Sequence, residues 1–506
     1  MPEIVLAIDA GTTGVRSMLF DKSGRVCGKA YSEYQSTYPS PSWVEQDAES
    51  WWLKSCETIK NAMTIAGLNP KNVVSVSVTN QRETIVPISE NGTPLRKAIV
   101  WQDRRTIPQC EWITRQLSQD EVYSITGLTV DPYFSAPKLL WIKKNETSIF
   151  KKAHKFLLVH DYLIYRLSDQ LITDFSNASR TMLFDIRRGI WSERILDAFE
   201  IEKEKLPTPV EPGLQVGEIT ARASEETGLS EGTPVVAGGG DQQCAALGVG
   251  VVKEGMLKST TGTGTFMLAH SRTVRLDPGR RVLCSRHVVP NSFVVEASMF
   301  TTGSALKWFR DNLGGEEKAI ASEKGVNPYE IITEEASRIP AGSEGVIHIP
   351  HFVGAGAPNW NPHSRGIFAG LALGHTRAHI IRSILEGVSY EIRTNVEVMH
   401  ELGLPSREFR VTGGAARSQT WMQIQADILR KPVIRTQMEE ATAIGAAILA
   451  FRGIGIFKSV AQAAEEMVNT LPPLMPNKDT LEVYQKGYKK FKELYSAISN
   501  LRFNED

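Results

Sequence analysis

The sequence predicts an α/β protein of two domains laid out on one plan, and three observations predict it. At 506 residues the chain is too long for a single hydrophobic core. Short apolar runs alternate with segments of helical spacing almost from end to end. A strand, a glycine–threonine turn and a second strand occur twice, as AIDAGTTGVRSMLFD from Ala7 and as MLKSTTGTGTFMLAH from Met256. The boundary is expected between these openings, giving domains 1–249 and 250–506.

Taken in order, Ile4–Ile8 and Val15–Phe20 are apolar strands, and DKSG (Asp21–Gly24) is a hairpin turn. The chain therefore opens as an antiparallel meander, not as the βαβ unit of a Rossmann fold. Asp47 to Gly67 has helical spacing and ends on glycine, and VVSVSVTN (Val73–Asn80) alternates as a strand. TPVVAGGGDQQCAALG is a strand that enters a glycine cluster and then a helix of small residues. After the second glycine–threonine turn come FVVEASMFTTGSALKWFRD and a long helix from His379 to His400. FRVTGGAARSQTWMQIQADIL then repeats strand, double glycine and helix. Tyr484, Tyr488, Phe491, Tyr495 and Ile498 have helical spacing and predict a docked amphipathic helix whose lysines face solvent.

Composition narrows the function. Fifty-seven basic residues balance 57 acidic ones, which argues against a nucleic-acid or membrane partner. Five widely spaced cysteines, with no Cys-x-x-Cys pair, fit neither a disulfide framework nor a zinc site and suit a reducing compartment. No secretory leader pattern opens the chain, so a cytoplasmic protein is expected.

The two glycine–threonine turns are candidate anion nests, in which successive backbone N–H groups point inward and threonine hydroxyls add donors. Two such turns, one per domain, suit a polyphosphate clamped from both sides. Arg16 lies just downstream of the first, and Asp9 at its head is suited to hold Mg²⁺. Neither a P-loop nor a complete G-x-G-x-x-G occurs. In TGGAARSQ (Thr412–Gln419) glycines open a helix where backbone can approach an adenine or ribose, or simply form a tight turn. On the other side, TNQRET, IVWQDRR, DPYFSAPKLLW and GGGDQQ bring forward Arg82, Glu83, Trp101, Tyr133, Asp241 and Gln242, with Phe266 after the second turn. Polar groups that read hydroxyls beside aromatic faces that cover C–H bonds make a pocket for a small polyol. The alternatives are a surface ion pair for Arg82 with Glu83, core packing for Trp101 and Tyr133, and a helix N-cap for Asp241.

YFSAPKLLWIKKN (Tyr133–Asn145) and GIFAGLALGHTRAHIIRSILE (Gly366–Glu386) resemble the two signatures of the FGGY carbohydrate kinases. TNQRET, WQDRR, NASRTMLFDI, GDQQ, GTGTFM and ATAIGAA are, in order, blocks of the glycerol-phosphorylating members of that family. The resemblance implies two ribonuclease-H-like domains of the actin-like ATPase type around a catalytic cleft. It also implies ATP as phosphoryl donor, Mg²⁺ as cofactor, and dimers or tetramers of identical chains. It implies a glycerol pocket of Arg82, Glu83, Trp101, Tyr133, Asp241, Gln242 and Phe266, with Asp241 as general base. For the nucleotide it implies Thr12, Thr13, Gly14 and Arg16 on the first turn, and Gly262, Thr263 and Gly264 on the second. Gly303, Lys307, Gly414 and Ser418 are placed near ribose and adenine, and Asp9 on Mg²⁺. The chain departs from the family at Gly14 and Val15, where serines are common, at Lys307, where glutamine is usual, and at Arg417-Ser418, which replace Ala-Asn. Kinases of erythritol or xylulose, and an actin-like ATPase acting on a protein partner, are the competing expectations.

Overall fold

Ile4–Ala10 (β1) is apolar at every position except Asp9, because both of its faces are covered. The structure, a computed structural model, describes residues 3–502. β1 pairs antiparallel with Gly14–Asp21 (β2), which pairs antiparallel with Val26–Glu33 (β3), so the predicted meander forms. On its other edge β1 runs parallel to Val73–Asn80 (β4). Gln215–Glu218 (β5) lies at the margin beside Pro234–Gly240 (β6), which is parallel to β4. Parity sorts the side chains of β1: Ile4, Leu6 and Ile8 join Trp51, Trp52 and Ile59 of Ala48–Ala66 (α1), whereas Val5 and Ala7 face the opposite layer. α1 begins at Asp47, whose side chain accepts from Glu49 N–H, and stops at Gly67 in the left-handed conformation at φ 61°.

The second sheet repeats the plan. Gly255–Thr261 (β7) and Thr265–Ser271 (β8) form the second hairpin. Leu283–Arg286 (β9) and Phe293–Met299 (β10) continue it antiparallel, and Ser406–Thr412 (β11) and Val433–Arg435 (β12) add parallel strands beside β7. The order β3-β2-β1-β4-β6 in the first sheet is matched by β10-β8-β7-β11-β12 in the second, and each sheet carries one extra edge strand.

Asp241–Gly248 (α2) follows β6 directly. Arg377–Glu401 (α3) and Gln419–Leu429 (α4) cover one face of the second sheet, and the terminal helix Leu481–Ile498 (α7) docks on them, where Tyr484, Tyr488 and Phe491 are buried as their spacing predicts. Between α4 and α7 come Ala441–Gly453 (α5) and Val460–Met467 (α6). These two belong to the second half of the chain yet pack against Val5, Ala7, Met18 and Phe20 of the first sheet. α2 and α5 touch backbone to backbone. A Cβ on Gly248 would come within 1.8 Å of Ala441 O, and one on Gly445 within 2.0 Å of Cys244 O. All five cysteines are free thiols, and among the described residues no helix is long and apolar enough to cross a membrane.

Candidate active site

β4 ends at Asn80, and the chain turns sharply with Glu83 in the left-handed region at φ 62°. Arg82 and Glu83 are thereby buried at the C-terminal end of a central strand. They are not a surface pair: they approach only to 3.8 Å, and each has another partner. Arg82 Nη1 and Nη2 donate to Glu296 Oε2 and Oε1 at 2.8 and 3.0 Å, and Arg180 Nε donates to Glu83 Oε1 at 2.6 Å. Asp241 is the first residue of α2, behind Gly240, which occupies the N-cap position. Its Oδ1 accepts from Gln242 N–H at 2.7 Å and lies 3.3 Å from Arg82 Nε, with 30% of the side-chain surface open to the cleft. Gln242 Oε1 accepts from Lys258 Nζ at 2.5 Å.

The aromatic residues stand around this cluster. Trp101 and Tyr133 meet edge to face with centroids 5.4 Å apart, and Trp101 Nε1 donates to Thr12 Oγ1 at 2.9 Å. The first turn and this aromatic wall are thus in direct contact. Phe266, half-buried on β8, packs beside Ala245 and Ala246 of α2.

Burial dominates the electrostatics. It raises the Glu83 and Asp241 carboxyls above the usual carboxylate range, opposed by Arg180 and Arg82 at Glu83 and by Arg82 and Lys258 at Asp241. It pushes the Tyr133 hydroxyl up and brings Lys258 down to about 7. Glu296 is equally buried, but Arg180 and Arg82 outweigh that and hold it at about 2. Burial lifts Asp9 to about 7, with Arg16 lowering it and Asp241 raising it further.

A separate cavity of about 580 Å³ opens beside the second turn and is lined by Gly262, Thr263, Gly303, Lys307, Gly414 and Ser418 among others. Six residues predicted for a nucleotide therefore share one space. A Cβ at Gly262 or Gly414 would meet nothing within 4 Å, so both glycines leave that space open. Gly303 has a packing reason instead, since its Cβ would lie 2.1 Å from Gly262 O. Lys307 turns along its own helix to pair with Asp311, and Ser418 Oγ caps α4 by accepting from Trp421 N–H at 3.2 Å. On the first turn, Gly11 N–H donates to Gly14 O at 3.0 Å and Thr13 is exposed. Gly14 is buried under Tyr31 and Ser32, so its lack of a side chain serves the β2–β3 contact. Arg16 lies under the Tyr31 ring at 5.5 Å.

Sequence reasoning missed Arg180, Lys258 and Glu296. The last two sit in the middle of apolar strands, MLKST and VVEAS, and a charge in a buried run was the available signal.

Two domains of like topology around a shared cleft, with a nucleotide-sized cavity in one and buried polar groups beside aromatic rings at the other, are the arrangement of a sugar or polyol kinase on the actin-like ATPase fold. The chain belongs to the FGGY family of carbohydrate kinases: residues 4–248 match the N-terminal domain of the family and 257–454 its C-terminal domain. A glycerol kinase of Thermococcus onnurineus is 37% identical over 502 residues, 97% of each chain. Glycerol kinase 2 of Thermotoga maritima is 36% identical over 495 residues, covering 95% of this chain and 97% of its own. Among solved structures, xylulose kinase from Rhodospirillum rubrum superposes with a TM-score of 0.89 at 27% identity, over 98% of this chain and 99% of the other. Plasmodium falciparum glycerol kinase with ADP gives 0.88 at 24% identity, over 100% and 99%, and speaks for the fold alone. Kinases of this family use ATP.

Proposed function

We propose that the protein transfers the γ-phosphoryl group of ATP to a primary hydroxyl of glycerol, giving glycerol 3-phosphate. The observation that carries this reading is the convergence of Arg82, Glu83, Tyr133, Asp241 and Gln242, from three separate segments, on one buried cluster with a single partly open carboxylate. The glycerol kinases at 36–37% identity over nearly the whole chain support the same acceptor.

Asp241 is the base in this reading. Its carboxylate takes the proton of the attacking hydroxyl as the new O–P bond forms, the β–γ bridging P–O bond breaks, and ADP leaves with that bond's electrons. Arg82 keeps Asp241 oriented and, with Gln242 and Glu83, binds the remaining hydroxyls, and Trp101, Tyr133 and Phe266 cover the carbon face. The two glycine–threonine turns hold phosphates from opposite sides, and the cavity beside Gly414 takes the adenosine. Among the described residues no hydrogen bond reaches the Asp9 carboxyl, and the Asp241 charge raises it further, so Asp9 fits a divalent cation. Mg²⁺, when bound, supplies positive charge to the phosphate oxygens.

The test is ADP release from MgATP, alone and with glycerol, erythritol, xylulose or dihydroxyacetone. Strong stimulation by glycerol with low turnover alone is expected. Preferential stimulation by xylulose, which the likeness to a xylulose kinase structure makes the second reading, would move the acceptor. Acceptor-independent turnover would refute the kinase mechanism.

A further inference from the structure

The second sheet sends two charged side chains across the cleft to the residues that flank Asp241. Lys258 of β7 is paired with Leu268 of β8, and Leu268 with Glu296 of β10. The three therefore stand in one row on one face, with the backbones of Lys258 and Glu296 about 10 Å apart across two strand spacings. Leu268 shares a core cluster with Ala245 and Ala246 of α2, which sets that helix against the row. At one end Glu296 takes one N–H from each Nη group of Arg82, Gln243 Oε1 takes the second N–H of Nη1 at 3.1 Å, and Nε lies toward Asp241 at 3.3 Å. At the other end Lys258 donates to Gln242. An ammonium only donates, so while Lys258 carries its proton Gln242 turns its carbonyl to it and presents its NH₂ group elsewhere. Arg82, Lys258 and Glu296 are all buried, where an ion without its partner is strongly destabilising.

We propose that Lys258 and Glu296 are positioning residues that set the hydrogen-bonding face of the acceptor site from the second domain. Lys258 fixes Gln242 as a donor, and Glu296 fixes Arg82 with Nε toward Asp241. Selectivity among small polyols is then governed in part by two side chains that do not touch the polyol. The inference rests on the assignment of Arg82 and Gln242 as acceptor contacts.

A double-mutant cycle on the full chain tests it, with glycerol and erythritol as acceptors. Lys258→Met is expected to raise the glycerol KM roughly tenfold, leave the ATP KM within about twofold, and narrow the ratio of kcat/KM for glycerol over erythritol. Gln242→Leu is expected to do the same, and Lys258→Met added to it to cost less than about twofold more. Additive losses overturn the inference, and so does an unchanged glycerol KM in Lys258→Met when Gln242→Leu raises it. If Gln242→Leu itself leaves the glycerol KM unchanged, the acceptor assignment fails and this inference with it. Glu296→Gln provides an arm that does not depend on Lys258→Met folding. A roughly tenfold rise in glycerol KM with the ATP KM held supports the proposal, whereas parallel rises in both KM values overturn it.

Discussion

Asp241→Asn is the sharpest perturbation of the proposed mechanism. Asparagine keeps the size of the side chain and the oxygen that accepts from Gln242 N–H, but it cannot take a proton from an attacking hydroxyl. A positioned general base contributes about 10²–10⁴ in rate, or about 2.7–5.4 kcal/mol at 1.36 kcal/mol per tenfold. Burial holds the Asp241 carboxyl above its usual range, which makes it a stronger base than an ordinary aspartate and points to the upper half of that interval. The fold should tolerate the change. The cluster holds Arg82, Arg180 and Lys258 against Glu83, Glu296 and Asp241, and Lys258, already near 7, can release a proton when one anion is lost. We expect kcat for ADP release at saturating MgATP and glycerol to fall by about 10³–10⁴. Glycerol binding by calorimetry should stay within about fivefold, a cost of about 1 kcal/mol. In the parent protein kcat/KM for glycerol should fall as pH drops through the Asp241 pKa, because the protonated carboxyl is no base, and that limb should vanish in the variant. A kcat within tenfold of the parent, with the acid limb retained, would refute the assignment of the base.

Three further outcomes follow from the same geometry. Gly414→Leu places a side chain in the open cavity and should raise the ATP KM by roughly tenfold, about 1.4 kcal/mol, with the glycerol KM and the melting temperature little changed. Arg180→Met strips Glu83 of its 2.6 Å partner in a buried setting and should cost about 3–5 kcal/mol in urea unfolding; a loss below about 1 kcal/mol would mean that the pair is not buried as described. Glu296, held at about 2 against 4.5 for a free glutamate, stabilises the fold fully above pH 4.5 and loses that contribution as pH falls toward 2. The difference in unfolding free energy between parent and Glu296→Gln should therefore shrink by about 3 kcal/mol across that window, and a constant difference would refute the ion pairing.

Much of the fold was legible because its signals are local. The hairpins at Ala7–Asp21 and Met256–His270 announce themselves by apolar runs around a glycine–threonine turn, and α1 by Asp47 and Gly67 at its ends. The position of α5 was not legible. Its composition, ATAIGAAILA, reads as a buried helix, but only the close approach of Gly248 and Gly445 explains why it crosses to the first sheet. The candidate site divides in the same way. Asp241, Arg82 and Glu83 stand at strand ends and were found there, whereas Glu296 and Arg180 lie far away in the chain and Lys258 on the following strand, and these were not. Lys307 and Ser418 show the converse, since each satisfies a local rule, an i,i+4 ion pair and a helix cap, while also lining the cavity. Neither local bond excludes a ligand, because an exposed ion pair is worth at most about 1 kcal/mol and can be exchanged for a phosphate or ribose contact. The buried pairs differ in kind. Breaking Arg82 from Glu296 costs each ion its main partner in the interior, so the proposed acceptor side of the cleft is held by long-range charge, and the proposed nucleotide side is lined by groups that can let go of their neighbours.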